Sequence, residues 1–335
     1  MEKSKRKIAI NGFGRIGRAA FKIAIEKKDI EIAAINDLVD PETLAYLLKY
    51  DTVYGHYTKK IDHDKDNLII DGKEIPILKE KDPKDLPWKK MQIDVVIEST
   101  GLFVKHNDVK NHIKAGAKRV IVSAPAKDDK VATHVISVNT EGGIKGEIVS
   151  NASCTTNCIA PVVNIINQEY GIEKAMMTTI HSYTASQNLV DGPHKDLRRS
   201  RAASQNIVPT TTGAATAAAK TIPEIKNKFD GIAIRVPTIN GSLSDFTFVL
   251  TEDVTAEEVN NLFREKAEQY PYHGIVEVTD ESLVSHDIIG NPHSAIIDLG
   301  FTRVVDGNML KVLAWYDNEW GYANRLVEMV EELEI

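Results

Sequence analysis

Residues 8–17 read Ile8-Ala9-Ile10-Asn11-Gly12-Phe13-Gly14-Arg15-Ile16-Gly17. The triplet Ile8-Ala9-Ile10 has the character of a buried strand and the pattern from Arg15 is helical, so the glycines fall at a strand-to-helix turn. Glycine there permits the tight turn, close approach of the backbone to a pyrophosphate, and close packing of helix on strand. The N–H groups that open the helix then face the phosphates. A G-x-G-x-x-G string alone is weak. Here Asp37 follows Gly17 by 20 residues at the end of the next strand pattern, where a carboxylate accepts the hydroxyls of an adenine ribose. The competing reading is a Gly-rich turn beside an Asp that caps the segment before Pro41. Asp37 also bears on the cofactor, because its charge repels a 2′-phosphate and so favours NAD over NADP. Preference is predicted, exclusivity is not: Arg15, Arg18 and the N-terminal lysines either offset that repulsion or are solvated helix-face charges.

Around this turn, residues 7–150 alternate short β-rich runs (8–10, 30–35, 95–98, 119–123, 134–138) with helical patterns (15–27, 42–49, 108–115). This alternation predicts βαβ units about a parallel sheet, an α/β Rossmann-type dinucleotide-binding domain. Residues 60–79 alternate apolar and polar around Asp71-Gly72, a hairpin signal at the sheet edge. Beyond the helical run 159–170 the grammar changes. Strand patterns at 176–183, 233–236, 244–251, 295–301 and 309–315, with few helices between them, predict an α+β domain with a largely antiparallel sheet. Residues 191–209 lack periodicity and read as a long loop. The amphipathic run 319–333 is expected to return to the first domain. The expected division is residues 1–153 and 318–335 for dinucleotide binding and 154–317 for catalysis.

At 335 residues there is room for two cores. A net charge of −7 argues against affinity for nucleic acid or anionic membrane, so phosphate chemistry must use local basic groups. The first apolar run is broken at Asn11 and Gly12, too early for a signal peptide. The two cysteines, Cys154 and Cys158, argue against a disulfide framework and for a reducing compartment, with cytoplasm as the expected location.

Cys154 lies in Ser150-Asn151-Ala152-Ser153-Cys154-Thr155-Thr156-Asn157-Cys158, between a β-type stretch and the helical run. Ser153 is a natural N-cap, and the first-turn N–H groups and helix dipole favour an anion, which predicts a stabilised Cys154 thiolate. The strand pattern at 176–183 ends on His181, a base able to take the thiol proton. A thiolate attacking an aldehyde forms a thiohemiacetal whose carbon can release hydride to an oxidised dinucleotide and become a thioester. Cys158, one turn deeper among Ile159, Ala160 and Val162, reads as core. A metal bound by Cys154, Cys158 and His181 lacks a fourth ligand at recognisable spacing. An isolated histidine at a strand end is most often structural, but Thr178, Thr179, Ser182, Tyr183 and Thr184 make a polar pocket. The remaining histidines read as surface. Arg198, Arg199, Arg201, Arg235 and Thr210-Thr211-Thr212-Gly213 before a helix supply groups for anions. The arginine cluster is equally consistent with a subunit contact.

These residues resemble the phosphorylating glyceraldehyde-3-phosphate dehydrogenases over essentially the whole chain. The matching strings are Asn11 to Arg18, Ile35-Asn36-Asp37, Ala152 to Cys158, His181 to Thr184, Thr210 to Ala215, and Trp315-Tyr316-Asp317-Asn318-Glu319-Trp320-Gly321-Tyr322. The resemblance implies Cys154 as nucleophile and His181 as its base. It implies that Thr184 and Arg235 hold the phosphate already on the substrate, while Ser153, Thr155, Thr212, Gly213 and Arg199 receive inorganic phosphate. Gly12, Phe13, Gly14, Arg15, Ile16, Gly17 and Asp37 would hold NAD, with Lys81, Ser123 and Tyr322 beside it and Asn318 on the nicotinamide carboxamide. The loop at about 182–209 resembles the family's S-shaped loop, which lies against a neighbouring subunit's cofactor, so a homotetramer is implied.

Lys81 stands where the family often has Arg, the stretch 140–146 is short, and Pro193 resembles the NAD-specific members. Three rivals stand beside this reading. An erythrose-4-phosphate dehydrogenase would release its acyl group to water; the intact Thr210 to Ala215 run argues against it. A Cys-dependent hydrolase would not need Asp37 or Asn318. A non-catalytic NAD- or RNA-binding protein fits poorly with the acidic charge and the complete constellation.

Overall fold

The strand Arg6–Asn11 is buried from Ile8 onward and pairs in parallel with Ile30–Asn36 on one side and Val95–Glu98 on the other. It lies inside a nine-stranded sheet whose order is Ala132–Thr133, Ile148–Ser150, Arg119–Val122, Val95–Glu98, Arg6–Asn11, Ile30–Asn36, Lys73–Leu78, Asn67–Ile70, Ile61–His63. This computed structural model describes residues 5–334. Strands covered on both faces need continuous apolar runs rather than alternation, and Val95, Val96 and Ile97 are all fully buried. The first six pairings are parallel. The last two strands add on antiparallel, as the hairpin at the sheet edge. Its turn is Asp71-Gly72, with φ of 50° and 84°, the left-handed pair that suits a two-residue connection.

The expected strand at 134–138 does not form. Strand pairing stops at Ala132–Thr133, and the chain then turns: the Val135 N–H donates to Asn139 Oδ1 at 2.8 Å, and Ser137 takes a left-handed φ of 74°. The apolar Val135 and Ile136 that suggested a strand are buried in this turn instead. The helices Arg15–Ala24 and His106–Lys114 end a little earlier than their patterns predict.

A second unit, Val135–Glu141 with Ser153–Tyr322, is built on an eight-stranded sheet. Its order is Val208–Thr211, Phe229–Val236, Ile172–Ser182, Ser242–Leu250, Met309–Tyr316, Ala295–Asp298, Val276–Thr279, with Arg303–Val305 on the side of Met309–Tyr316. The pairing is largely antiparallel, as expected; the exceptions are Ile172–Ser182 with Phe229–Val236 and Val276–Thr279 with Ala295–Asp298. The run 295–301 ends as a strand at Asp298 because Leu299–Phe301 is a single tight helical turn. Helix Cys154–Tyr170 is buried from Thr155 to Ile166 and apolar from Cys158 to Ile166 except at Asn164.

The final helix, Trp320–Glu332, belongs from Ala323 onward to the first unit, where an Arg6 guanidinium donates to the Val330 carbonyl and Lys27 pairs with Glu331 at 2.8 Å. Among the described residues, no helix is long and apolar enough to cross a membrane.

Candidate active site

Ser153 caps the helix that begins at Cys154: its Oγ accepts the Thr156 N–H at 3.1 Å. This cap, worth about 1 kcal/mol, fixes Cys154 at the first helical position. His181 comes from the end of strand Ile172–Ser182, and its Nε2 lies 3.5 Å from Cys154 Sγ. In the adjacent parallel strand Arg235 stands in register with His181, so both side chains leave the sheet on one face. The Arg235 Nη1 donates to the Ser182 carbonyl at 2.8 Å and lies 2.6 Å from His181 Nδ1.

His181 Nδ1 faces two groups: the Ser182 carbonyl at 2.8 Å, which can only accept, and Arg235 Nη1 at 2.6 Å, which can only donate. With the proton on Nδ1, Nε2 presents its lone pair to the thiol. A second proton on this ring would be buried and beside a guanidinium. Burial first, then the Arg235 charge, accordingly lower His181 to a pKa of about 3. His181 is 4% exposed and its ring stands nearly perpendicular to that of Tyr316, with centroids 5.9 Å apart.

The thiol is under opposing influences. Burial pushes Cys154 up, more than Arg235 and the hydrogen bonds of Thr155 pull it down. Both shifts run toward the neutral forms of the pair, a thiol and an imidazole. Cys158 is fully buried, its Sγ 3.8 Å from Ser244 Oγ, and burial pushes its thiol up as well.

The other expected site residues of this unit fall into two groups. Thr155 and Asn318 are tied to the Cys154–His181 cluster. Thr155 Oγ1 meets Tyr316 OH at 3.0 Å, and that hydroxyl also meets Thr179 Oγ1 at 2.8 Å. Asn318 Oδ1 accepts from Ser182 Oγ at 2.9 Å and Ser242 Oγ at 2.8 Å, which turns its amide nitrogen away from those hydroxyls. Thr184, Arg199 and Thr212 are held locally. Thr184 Oγ1 meets Ser186 Oγ at 2.8 Å, and Thr212 Oγ1 accepts the Ala214 N–H at 3.2 Å. Arg199 Nε donates to Thr210 Oγ1 at 3.0 Å, with the Asp196 carboxylate 3.5 Å away. Gly213 precedes helix Ala214–Thr221 and supplies no side-chain cap, and the first N–H of that helix is the one Thr212 Oγ1 accepts. Arg201 pairs with Asp191 at 2.8 Å. Tyr322 is buried.

In the first unit the glycine turn has the form the sequence demands. Gly12 has φ 92°, and a Cβ there would stand 2.7 Å from Thr100 N. A Cβ on Gly17 would stand 2.1 Å from the Gly12 carbonyl oxygen, whereas one on Gly14 would meet nothing within 4 Å. Helix Arg15–Ala24 has no side-chain cap, and a helix start of this kind suits phosphate oxygens. These are the features a dinucleotide pyrophosphate requires. Asp37 accepts the Phe13 N–H at 2.7 Å and the Val39 N–H at 3.0 Å, so its carboxylate is fixed at the mouth of the turn.

Arg15 and Arg18 are not solvated helix-face charges. Arg15 pairs with Asp51 at 2.9 Å, and Arg18, 8% exposed, donates to the Phe13 carbonyl. Lys81 is exposed and Ser123 half-buried, its N–H on the Glu98 carbonyl at 2.9 Å. Sequence reasoning missed the Tyr316 hydroxyl and the Ser182 and Ser242 clamp on Asn318. It also misplaced His112, which is fully buried rather than at the surface; the only signal was its position on the apolar side of helix His106–Lys114.

Two family models match the chain: "Glyceraldehyde 3-phosphate dehydrogenase, NAD binding domain" over residues 6–106 and "Glyceraldehyde 3-phosphate dehydrogenase, C-terminal domain" over residues 153–318. Among curated proteins, the glyceraldehyde-3-phosphate dehydrogenase of Streptomyces coelicolor is 49% identical over 96% of this chain and 97% of its own. Glyceraldehyde-3-phosphate dehydrogenase 2 of Bacillus subtilis is 49% identical over 98% of this chain and 97% of its own. The Geobacillus stearothermophilus protein of the same name is 49% identical over 96% of each. The chain belongs to the glyceraldehyde-3-phosphate dehydrogenase family and is an NAD-dependent oxidoreductase.

Proposed function

We propose that the chain catalyses the reversible oxidative phosphorylation of D-glyceraldehyde 3-phosphate with inorganic phosphate, giving 1,3-bisphosphoglycerate. The observation that carries this reading is the Cys154 thiol 3.5 Å from His181 Nε2, the nitrogen that accepts the thiol proton when Nδ1 is the protonated one. His181 Nε2 takes the thiol proton as Sγ bonds to the aldehyde carbon, and returns it to the new hydroxyl of the thiohemiacetal. As that carbon is oxidised, Nε2 takes the hydroxyl proton again and a Cys154 thioester results. NAD, when bound, supplies the acceptor for the hydride that leaves this carbon. A phosphate oxygen then attacks the thioester carbonyl, the C–S bond breaks, and the imidazolium reprotonates the sulfur or releases its proton to solvent. Each charged form of His181 is transient, so the proton can move both ways.

Thr184 and Arg235 take the phosphate already on the substrate, and Ser153, Thr155, Thr212, Gly213 and Arg199 the attacking one. For these roles Arg199 and Thr212 exchange local partners for the anion. Asn318 presents its amide nitrogen to the nicotinamide carboxamide, and Lys81, Ser123 and Tyr322 border the cofactor. Dinucleotide binding is assigned to residues 1–153 and 318–335 and catalysis to residues 154–317, in a cytoplasmic homotetramer with NAD preferred over NADP.

Rapid mixing of enzyme, NAD and glyceraldehyde 3-phosphate without phosphate tests the covalent step. A burst of NADH equal to the Cys154 content, followed by slow turnover, is expected. Cys154→Ser should abolish the burst while keeping NAD binding. Turnover retained by Cys154→Ser would overturn the assignment.

A further inference from the structure

A carboxylate held by four neutral donors lies at the topological switch point of the parallel sheet. Strands Arg6–Asn11 and Val95–Glu98 are neighbours on the two sides of the order reversal, and a dinucleotide binds in the crevice outside the carboxyl ends of such strands. Asn11 and Glu98 are their last residues, paired in register, and both are 1% exposed. Glu98 Oε2 accepts from Asn11 Nδ2 at 2.5 Å and His112 Nε2 at 3.0 Å. Glu98 Oε1 accepts from the Thr100 N–H at 2.9 Å and the Thr100 hydroxyl at 2.5 Å.

The His112 assignment is forced. Trp88 Nε1 can only donate, and it lies 3.0 Å from His112 Nδ1; Nδ1 is therefore the acceptor and Nε2 carries the proton that Glu98 receives. Four donors match the lone-pair capacity of an ionised carboxylate. That is the arrangement that makes a buried anion tolerable.

These bonds converge on Gly12. Ser99, next in the chain, donates its N–H to the Asn11 carbonyl at 2.8 Å and its hydroxyl to the Gly12 carbonyl at 2.7 Å. The Thr100 backbone that Glu98 holds lies where a Gly12 Cβ would be, 2.7 Å away. Asn11 Oδ1 accepts from Asn36 Nδ2 at 2.7 Å, which extends the chain of bonds to the residue before Asp37. One carboxylate thus ties the pyrophosphate turn to the strand end that carries the ribose acid.

We propose that Glu98 is the positioning residue of the dinucleotide turn: with Asn11, Thr100 and His112 it sets the Gly12 turn and Asp37 in the geometry NAD requires before NAD arrives. A turn fixed in advance does not have to be ordered on binding, so the network acts on cofactor affinity more than on the chemistry.

The test uses full-length Thr100→Val, Thr100→Ser and Glu98→Gln. Three quantities are read: NAD affinity by calorimetry, turnover at saturating NAD, and the iodoacetamide alkylation rate of Cys154 without cofactor. Thr100→Val removes one hydroxyl from an anion and should weaken NAD binding about tenfold. Thr100→Ser restores the hydroxyl and should restore the affinity. Glu98→Gln turns an amide N–H against the donors and should weaken binding by more than about tenfold. Turnover at saturating NAD and Cys154 alkylation should stay near wild type in all three. NAD affinity unchanged in Thr100→Val and Thr100→Ser overturns the proposal, whether or not Glu98→Gln folds. So does a loss of affinity in Thr100→Val that Thr100→Ser fails to restore, or that comes with an equal loss of Cys154 reactivity, since a general weakening of the fold would then be the cause.

Discussion

Gly17→Ala and Gly14→Ala separate the two reasons for glycine in the dinucleotide turn. A methyl on Gly17 would stand 2.1 Å from the Gly12 carbonyl oxygen, so helix and turn must part by about 0.9 Å to reach the 3.0 Å floor of real contacts. The closest atoms are Gly12 backbone, which cannot swing aside, and the upper end of the overpacking range applies, about 3 kcal/mol. Alanine returns about 1 kcal/mol of helix propensity, leaving a net loss of about 2 kcal/mol. The displaced turn also takes its N–H groups off the pyrophosphate, and about tenfold in NAD affinity, roughly 1.4 kcal/mol, should go with it. Gly14→Ala meets no atom within 4 Å, so stability should change by less than about 1 kcal/mol. Its methyl nonetheless occupies the approach of the pyrophosphate, and NAD affinity should fall. Urea unfolding and calorimetric titration of the two variants read both quantities. Gly17→Ala with wild-type stability and affinity, or Gly14→Ala that loses stability instead of affinity, would refute the reasoning.

Two further outcomes follow from the site. Asp37→Ala removes a like charge from the position of a 2′-phosphate and should raise the NADP-to-NAD ratio of kcat/KM by on the order of tenfold or more; an unchanged ratio would show that Asp37 does not set cofactor choice. Burial raises the Cys154 thiol and Arg235 lowers it, so the alkylation rate of the cofactor-free protein should inflect above the pH of an ordinary cysteine, and Arg235→Gln should move the inflection higher still. An inflection below that of a free thiol would mean that the helix start outweighs desolvation.

Much of the fold was legible because periodicity reports burial. The runs 8–10, 30–35 and 95–98 are apolar without alternation and became the centre of the parallel sheet, and Asp71-Gly72 supplied the left-handed pair its hairpin needed. The run 134–138 misled because a buried turn and a buried strand ask for the same apolar residues; Asn139, four residues from Val135, carried the difference. At the site, the local facts were readable: Ser153 as cap, His181 at a strand end, glycines at the turn. Facts that depend on residues distant in sequence were not. The Cys154 thiol answers to burial on one side and Arg235 on the other, and Arg235 reaches His181 only through strand register. The Glu98 network joins residues 11, 98, 100 and 112, and nothing in the spacing of those four types announces it.

The central claim is that an acyl group on Cys154 is passed to inorganic phosphate. Steady-state NADH formation from NAD and glyceraldehyde 3-phosphate, with and without phosphate and beside a parallel run with erythrose 4-phosphate, tests it most directly. Strong phosphate dependence with preference for the three-carbon substrate is predicted. Phosphate-independent turnover favouring erythrose 4-phosphate would contradict the account and place water, not phosphate, as the acceptor.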